Sequence, residues 1–294
     1  MRSIRKWPLT GLCVVVISLA LVLTGCGQTQ NNEAQEKDEE TMRIVSVVPS
    51  VTEILFDLGL EDQIVGVTTN CDYPEAAADY EKVGDWNINV EKLVSLEPDL
   101  VIGMESTNGM LLNELSQFGI ETLAFEAQSF DEIYEAFMLI GQATNSEKRA
   151  QELVNEMQER VDSVVDVVSA IPAEDRVTVF MEVGWEPLYT VGKTSLQHEI
   201  IELAGGVNII EVEKSWVQYN QEQLIEDNPQ VIILGTHPHY SAEDVKARIG
   251  WQELLAVKED RIIDDIDTNT LVRPTYRAVL GLEAVAEELY PELF

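Results

Sequence analysis

Glu91–Ile102 and Glu222–Ile233 are two stretches of the chain that follow one pattern, and they read EKLVSLEPDLVI and EQLIEDNPQVII. Each begins with a glutamate and a short helical pattern, stops before a proline, and continues as an apolar run typical of a buried parallel strand. A helix, a proline and a strand follow one another in this order in many unrelated proteins. The shared spacing of glutamate, leucine, proline and apolar run therefore favours two related halves of one chain.

Short apolar runs alternate with helical patterns around both stretches, which predicts parallel sheets covered by helices on both faces. In the first half the predicted strands are Ile44–Val48, Ile64–Val67, Leu100–Ile102 and Thr122–Phe125, and helices start near Thr52, Val90 and Leu111. In the second half the predicted strands are Val177–Val183, Val231–Leu234 and Ile262–Ile263, and the predicted helices are Leu196–Leu203, Gln221–Glu226, Ala242–Leu255 and Arg277–Leu289. The predicted fold class is α/β, with two Rossmann-like lobes at residues 42–145 and 173–294.

The segment between the lobes, residues 146–172, is predicted to form a single long connecting helix. Ser146–Ser169 contains no glycine or proline, and its apolar residues recur at helical spacing: Leu153, Met157, Val161, Val164, Val165 and Val168. A single stiff connector limits hinge bending, so the lobes are expected to close only slightly around a ligand.

The N-terminal segment has the pattern of a secretory signal, which we place at residues 1–25. Three basic residues precede an apolar run from Gly11 to Leu23, which is short for a membrane span and ends in Leu23-Thr24-Gly25-Cys26. This tetrapeptide resembles the bacterial lipobox, so Cys26 is the predicted lipid-modified residue. Residues 26–41 are otherwise polar and predict a flexible tether to the cell membrane.

The composition excludes one class of partner and one kind of cross-link. The chain carries 53 acidic against 19 basic residues, a formal net charge of -34, which repels nucleic acid. Of its three cysteines, Cys13 lies in the predicted signal and Cys26 is predicted to carry lipid. Cys71 is then left alone, so we expect no intramolecular disulfide and no cysteine metal cluster.

An ordered set of short motifs resembles the class III solute-binding proteins of ABC importers, which carry cobalamin, ferric siderophores and haem. The motifs are Val47–Glu53, Cys71–Pro74, Gly84–Trp86, Asn89–Glu91 and Glu97–Val101, and they are most similar to the cobalamin-binding branch. The resemblance covers nearly all of residues 42–294. It implies a monomer that holds its ligand in a cleft between the lobes and delivers it, without catalysis or a resident cofactor, to a permease dimer driven by ATPase subunits.

The resemblance also assigns a role to the duplicated glutamates. In the family, one surface glutamate of each lobe docks against arginines of the two permease subunits, and Glu91 and Glu222 occupy these places. A two-fold transporter presents two equivalent basic pockets, which suits one carboxylate per lobe. Both glutamates also start helices, where the helix dipole favours an acidic side chain.

Several aromatic residues fall where predicted strands end or loops begin, and their flat faces suit a macrocycle such as a corrin. Family matches select Tyr73, Trp86 and Trp216 among them, and Trp185 is included for its position. The complete predicted ligand-binding set is Pro49, Ser50, Tyr73, Trp86, Trp185, Trp216, Asn269 and Arg273. Asn269 aligns loosely with an aspartate of the cobalamin branch, and Arg277 is assigned a structural role.

Other functions are open on the same residues. A ferric siderophore or haem is the alternative ligand within the family. His237 and His239, separated by one residue, could chelate a metal in a surface metalloenzyme, but a site usually needs three or four ligands and the chain has one other histidine, His198. We therefore predict no catalytic residue and no metal site.

Overall fold

The first lobe is built on a parallel sheet of four strands. The computed structural model describes residues 41–235 and 241–294. The elements of the first lobe are β1 Ile44–Ser46, α1 Pro49–Asp57, β2 Ile64–Gly66, α2 Val90–Ser95, β3 Leu100–Met104, α3 Glu105–Gln117, β4 Glu121–Phe125 and α4 Phe130–Ala143. The strand order is β2-β1-β3-β4, and all pairings are parallel.

The second lobe has a mixed sheet. Its elements are β5 Thr178–Gly184, β6 Tyr189–Val191, α6 Leu196–Leu203, β7 Val207–Asn208, β8 Trp216–Gln218, α7 Gln221–Asp227, β9 Val231–Leu234, α8 Ala242–Lys246, α9 Leu255–Lys258, β10 Ile262–Ile263, α10 Thr268–Val272 and α11 Ala278–Leu289. The strand order is β10-β9-β5-β6-β8, with β7 paired to β5. The pairings of β5 with β6 and of β6 with β8 are antiparallel, which the apolar pattern did not predict.

The two sheets share a parallel core of strands with matching order. In the first lobe β3 lies between β1 and β4, and in the second β9 lies between β5 and β10. The first strand of each lobe pairs with the strand that follows the duplicated helix: Ile44 opposite Leu100, and Val179 opposite Val231. The predicted relationship between the halves is therefore present in the topology.

A continuous hydrophobic core runs through both lobes along the connecting helix α5, Glu147–Val168. Its buried stripe consists of Ala150, Leu153, Val154, Met157, Val161, Val164 and Val168. Strand residues alternate between this shared core and separate outer cores, as Ile44 and Val45 illustrate in β1. At about 1.5 Å per residue, the 22 residues of α5 form a rod of about 33 Å that packs on both lobes.

The single helix predicted at Ala242–Leu255 is wrong. The structure has α8, a short 3₁₀ turn at Trp251–Glu253, and α9 in its place. Gly250, directly before the 3₁₀ turn, has φ of 88°, a left-handed conformation that does not occur inside a continuous α-helix. None of the described helices is both long enough and apolar enough to span a bilayer.

Candidate ligand-binding cleft

A cleft of about 650 Å³ opens between the lobes. The first lobe lines it with residues that follow the carboxyl ends of its four strands, and the second lobe with α6, β8, α10 and the segment after α10. The lining residues are Val48, Pro49, Ser50, Thr69, Asn70, Asp72, Trp86, Met104, Ser106, Thr107, Ala127, Gln128, Leu196, Gln197, Trp216, Asn269, Val272, Arg273 and Pro274. The carboxyl ends of parallel strands are the usual place for ligands in such sheets.

Two indole rings, one from each lobe, line this cleft and are largely exposed. Trp86 is 75% exposed and Trp216 is 53% exposed. Large aromatic rings are usually mostly buried, so two exposed rings at one cleft indicate a binding surface. The cleft can therefore offer flat apolar faces from both sides.

Trp86 is held on a tight loop between β2 and α2. Gly84 has φ of 138° and forms an isolated bridge with Ile88. The backbone N–H of Thr69 donates to the carbonyl of Gly84 at 2.8 Å, and the backbone N–H of Asn87 donates to the Asp85 carboxylate at 2.7 Å. These contacts fix the loop although its tryptophan is exposed.

Pro49, Ser50 and Asn269 also line the cleft, as the sequence predicted for ligand-binding residues. Pro49 is the first residue of α1, where its fixed φ suits a helix start. The buried hydroxyl of Ser50 lies 3.8 Å from the sulfur of Met104, which also lines the cleft. Asn269 is the second residue of α10, and its backbone N–H donates to the Asp267 carboxylate at 3.0 Å.

Arg273 lines the cleft, but its guanidinium is already engaged. Nη1 donates to Oε1 of Glu53 at 2.8 Å and to Oδ1 of Asp72 at 2.7 Å. The Thr275 hydroxyl donates to the other oxygen of Glu53 at 3.1 Å. Burial raises the pKa of Glu53, and the nearby guanidiniums of Arg273 and Arg277 offset part of this rise. Arg273 therefore joins the two lobes at the cleft wall.

Tyr73 and Arg277 pack together beside this group and outside the set that lines the cleft. The Arg277 guanidinium lies 4.0 Å from the centre of the Tyr73 ring, a cation–π geometry. Arg277 also donates to Asp267 and lies 3.6 Å from Glu53. Arg277, to which a structural role is assigned from the sequence, makes these contacts within the protein. Tyr73, a predicted ligand-binding residue, packs against its guanidinium and does not line the cleft.

Trp185 is not brought to the cleft. Its ring packs edge-on against Trp251 at 5.4 Å, and the Arg248 guanidinium lies 3.7 Å from its centre. Arg248 forms two hydrogen bonds with the fully buried Glu182, at 2.5 and 2.9 Å. Trp185 lies in the turn between β5 and β6, where it packs into this group and does not line the cleft.

Glu91 and Glu222 occupy equivalent positions, each the second residue of a short helix and each exposed. Both helices begin after an asparagine whose side chain accepts backbone hydrogen bonds. Asn89 accepts from Lys92 at 2.9 Å, and Asn220 accepts from Glu222 at 2.7 Å and from Gln223 at 3.2 Å.

Sequence reasoning missed most of the polar lining of the cleft. The missed residues are Thr69, Asn70, Asp72, Ser106, Thr107, Gln128 and Gln197. Most of them follow apolar runs in the sequence, so a search for polar residues at the carboxyl ends of strands would have found them.

The predicted signal at residues 1–25 and the predicted lipid on Cys26 fall on residues outside the described part of the chain. The same holds for His237 and His239, the residues of the alternative metalloenzyme. Within residues 41–235 and 241–294, no group of three or more histidine, cysteine, aspartate or glutamate residues could hold a metal ion.

The known proteins that this chain resembles are solute-binding proteins. A family model described as "Periplasmic binding protein" matches residues 44–267. The uncharacterized ABC transporter substrate-binding lipoprotein YvrC of Bacillus subtilis is 35% identical over 97% of this chain and 98% of its own length. The vitamin B12-binding protein of Salmonella paratyphi A is 32% identical over 84% of this chain and 90% of its own. A Staphylococcus epidermidis crystal structure, described as a possible iron-binding periplasmic solute-binding protein, superposes with a TM-score of 0.74 at 35% identity, covering 84% and 98% of the two chains.

Proposed function

Because the chain belongs to the periplasmic binding protein family, as a class III substrate-binding protein of ABC transporters, we propose that it binds cobalamin or a related corrinoid. The family binds solutes and hands them to a permease with its ATPase; it is not a family of enzymes.

The observation that carries the proposal is the pair of exposed tryptophans on opposite lobes. A corrin is a large flat macrocycle, and the faces of Trp86 and Trp216 can contact it without requiring charge. The polar lining is mostly neutral: Ser50, Thr69, Asn70, Ser106, Thr107, Gln128, Gln197 and Asn269. Hydroxyl and amide side chains both donate and accept, which matches the carboxamide groups at the edge of a corrin.

The same lining disfavours the alternative ligands of the family. Anionic ferric siderophores and the propionates of haem call for cationic partners. Among the described lining residues the one cation is Arg273, and Glu53 and Asp72 already hold it. Among the described lining residues there is no histidine, tyrosine or cysteine, and Met104 is the one side chain of a type that can ligate haem iron.

We further propose that Glu91 and Glu222 dock on the two permease subunits. Both are exposed at the start of duplicated helices. Their equivalent places in related lobes suit a partner with two-fold symmetry. Arginine pockets would pair well with these carboxylates.

The proposed location is the outer side of the cell membrane, held by lipid on Cys26. The support is the sequence Leu23-Thr24-Gly25-Cys26 and the similarity to a Bacillus subtilis lipoprotein along nearly the whole chain. Metabolic labelling with a palmitate analogue should mark the wild-type chain and leave Cys26→Ala unmarked. Equal labelling of both chains would show that Cys26 does not carry the lipid.

Ligand retention tests the proposed function. Purified protein mixed with excess cyanocobalamin should keep the red chromophore through desalting at about one corrinoid per chain. Haem and ferric siderophores run in parallel should be lost on the same column. Loss of the corrinoid with retention of an iron complex would replace the proposal with the siderophore or haem alternative.

A further inference from the structure

The charged residues around Arg273 form a cluster that joins the lobes, which we name the interlobe charge cluster. Glu53 and Asp72 come from the first lobe; Asp267, Arg273 and Arg277 come from the second. Three carboxylates thus surround two guanidiniums. When all are ionised, the cluster carries one excess negative charge next to the cleft.

The members of the cluster differ in their access to a ligand. Glu53 is 2% exposed and lies behind the cleft wall. Asp72 and Arg273 both line the cleft, and the side chain of Asp72 is 62% exposed while that of Arg273 is 13% exposed. A ligand that enters therefore meets the carboxylate of Asp72 more readily than the guanidinium.

This arrangement has opposite effects on neutral and anionic ligand edges. An anionic edge is repelled by Asp72, and at Arg273 it meets a guanidinium whose Nη1 already donates to the carboxylates of Asp72, at 2.7 Å, and Glu53, at 2.8 Å. An amide edge can donate to Asp72 instead. Like charges placed together across an interface are a recognised means of rejecting wrong partners.

We propose that Asp72 determines specificity by holding Arg273 and by presenting its own carboxylate, so that the cleft rejects ligands with peripheral carboxylates and accepts their amide counterparts. This inference rests on the proposed function and deepens it. Asp72 acts on the ligand directly, and it also acts through Arg273 as a positioning residue.

A matched pair of ligands tests the inference. Cyanocobalamin and its monocarboxylate, in which one peripheral carboxamide is replaced by a carboxylate, are titrated into the purified full chain in mild detergent. The proteins are wild type, Asp72→Asn, Asp72→Ala, and Glu156→Gln as a control that removes an exposed carboxylate on α5. Thermal melting verifies that each variant is folded.

Wild type should bind the amide form at least about tenfold more tightly than the carboxylate form, the size expected for one unfavourable charge contact. Both Asp72 variants should reduce this ratio at least about fivefold, and Glu156→Gln should leave it unchanged. An unchanged ratio in folded Asp72 variants would reduce Asp72 to a structural ion pair and overturn the inference. Tighter binding of the carboxylate form by wild type would also overturn it.

Failure of the proposed function is visible separately, as absence of binding of either corrinoid to wild type. The inference is then decided with a neutral ferric trihydroxamate and the anionic ferric citrate complex. Asp72→Asn should still shift the ratio of their affinities towards the anion. No shift in that ratio would overturn the inference independently of the corrinoid.

Discussion

Glu97 and Asn228 adopt the same left-handed backbone conformation, with φ of 48° in each, and each directly precedes a proline. Left-handed conformations are uncommon for residues other than glycine, and they cost about 1–2 kcal/mol. In both places the side chain of the residue after the proline accepts a hydrogen bond from the backbone near the first strand of the lobe. Asp99 accepts from the backbone N–H of Arg43 at 2.8 Å, and Gln230 accepts from that of Thr178 at 2.9 Å. The segment between each proposed docking helix and the strand that follows it therefore has the same conformation and the same kind of side-chain hydrogen bond in both lobes.

The first prediction concerns delivery. Glu91→Ala and Glu222→Ala should each lower corrinoid uptake by cells, and the double variant should abolish it, because each removes one of two charged contacts with the permease. Binding of cyanocobalamin to the purified double variant should be unchanged. Glu156→Ala, which removes an exposed carboxylate of α5, is the control for net charge. Normal uptake by the double variant would remove both glutamates from the docking surface.

The second prediction concerns the loop that carries Trp86. A Cβ on Gly84 would collide with the carbonyl of Asn87 and lie 3.0 Å from Cα of Ile88. Gly84→Ala should therefore shift the loop and weaken corrinoid binding as well as stability. Gly119 also has a positive φ, of 83°, but has no atom within 4 Å of its would-be Cβ. Gly119→Ala should lower stability alone, and equal binding losses in both variants would contradict this account.

The third prediction concerns the buried pair beneath Trp185. Arg248→Ala leaves the fully buried carboxylate of Glu182 without its guanidinium, which typically costs about 3–5 kcal/mol. Urea unfolding measures this loss. Lys258→Ala breaks an exposed pair with Glu253, which water and salt screen, and should cost far less. Similar losses in the two variants would show that Glu182 does not depend on Arg248.

The fourth prediction concerns pH. Burial, with a contribution from the charge of Glu53, raises the pKa of Asp57 from 3.8 to about 7. The folded state then holds this proton more tightly than the unfolded state, so Asp57 lowers the free energy of unfolding progressively as pH rises from about 4 to 7. Asp57→Asn should gain stability relative to wild type across that window, by urea unfolding at several pH values. A difference that is the same at pH 4 and pH 8 would contradict the shift.

Much of the fold could be predicted from the sequence because buried parallel strands are nearly continuous apolar runs. Val231–Leu234 and Leu100–Ile102 were identified in this way, and the prolines before them marked where each helix ends. The antiparallel strands β6 and β8 were missed, since each has only three residues and neither is fully buried. Gly250 could have been taken as the break between α8 and α9, but an isolated glycine is also tolerated inside helices.

The cleft was predictable in part. Trp86, Trp216, Pro49, Ser50, Asn269 and Arg273 all line it. A position at the end of a strand does not reveal which way a side chain points, and this is why Trp185 was included although it packs on Trp251. Asp72 was overlooked because its importance depends on Arg273, which is distant in sequence and adjacent only in the folded chain.

Calorimetric titration of cyanocobalamin into wild type, Trp86→Ala, Trp216→Ala and Phe118→Ala tests the central claim most directly. Phe118 is 68% exposed at the end of α3 and is absent from the cleft lining, so it controls for loss of an exposed aromatic ring. The account predicts binding of one corrinoid per wild-type chain, an unchanged affinity in Phe118→Ala, and at least a tenfold weaker affinity, about 1.4 kcal/mol, in each tryptophan variant. Undiminished affinity in both tryptophan variants, or no heat of binding in wild type, would contradict it.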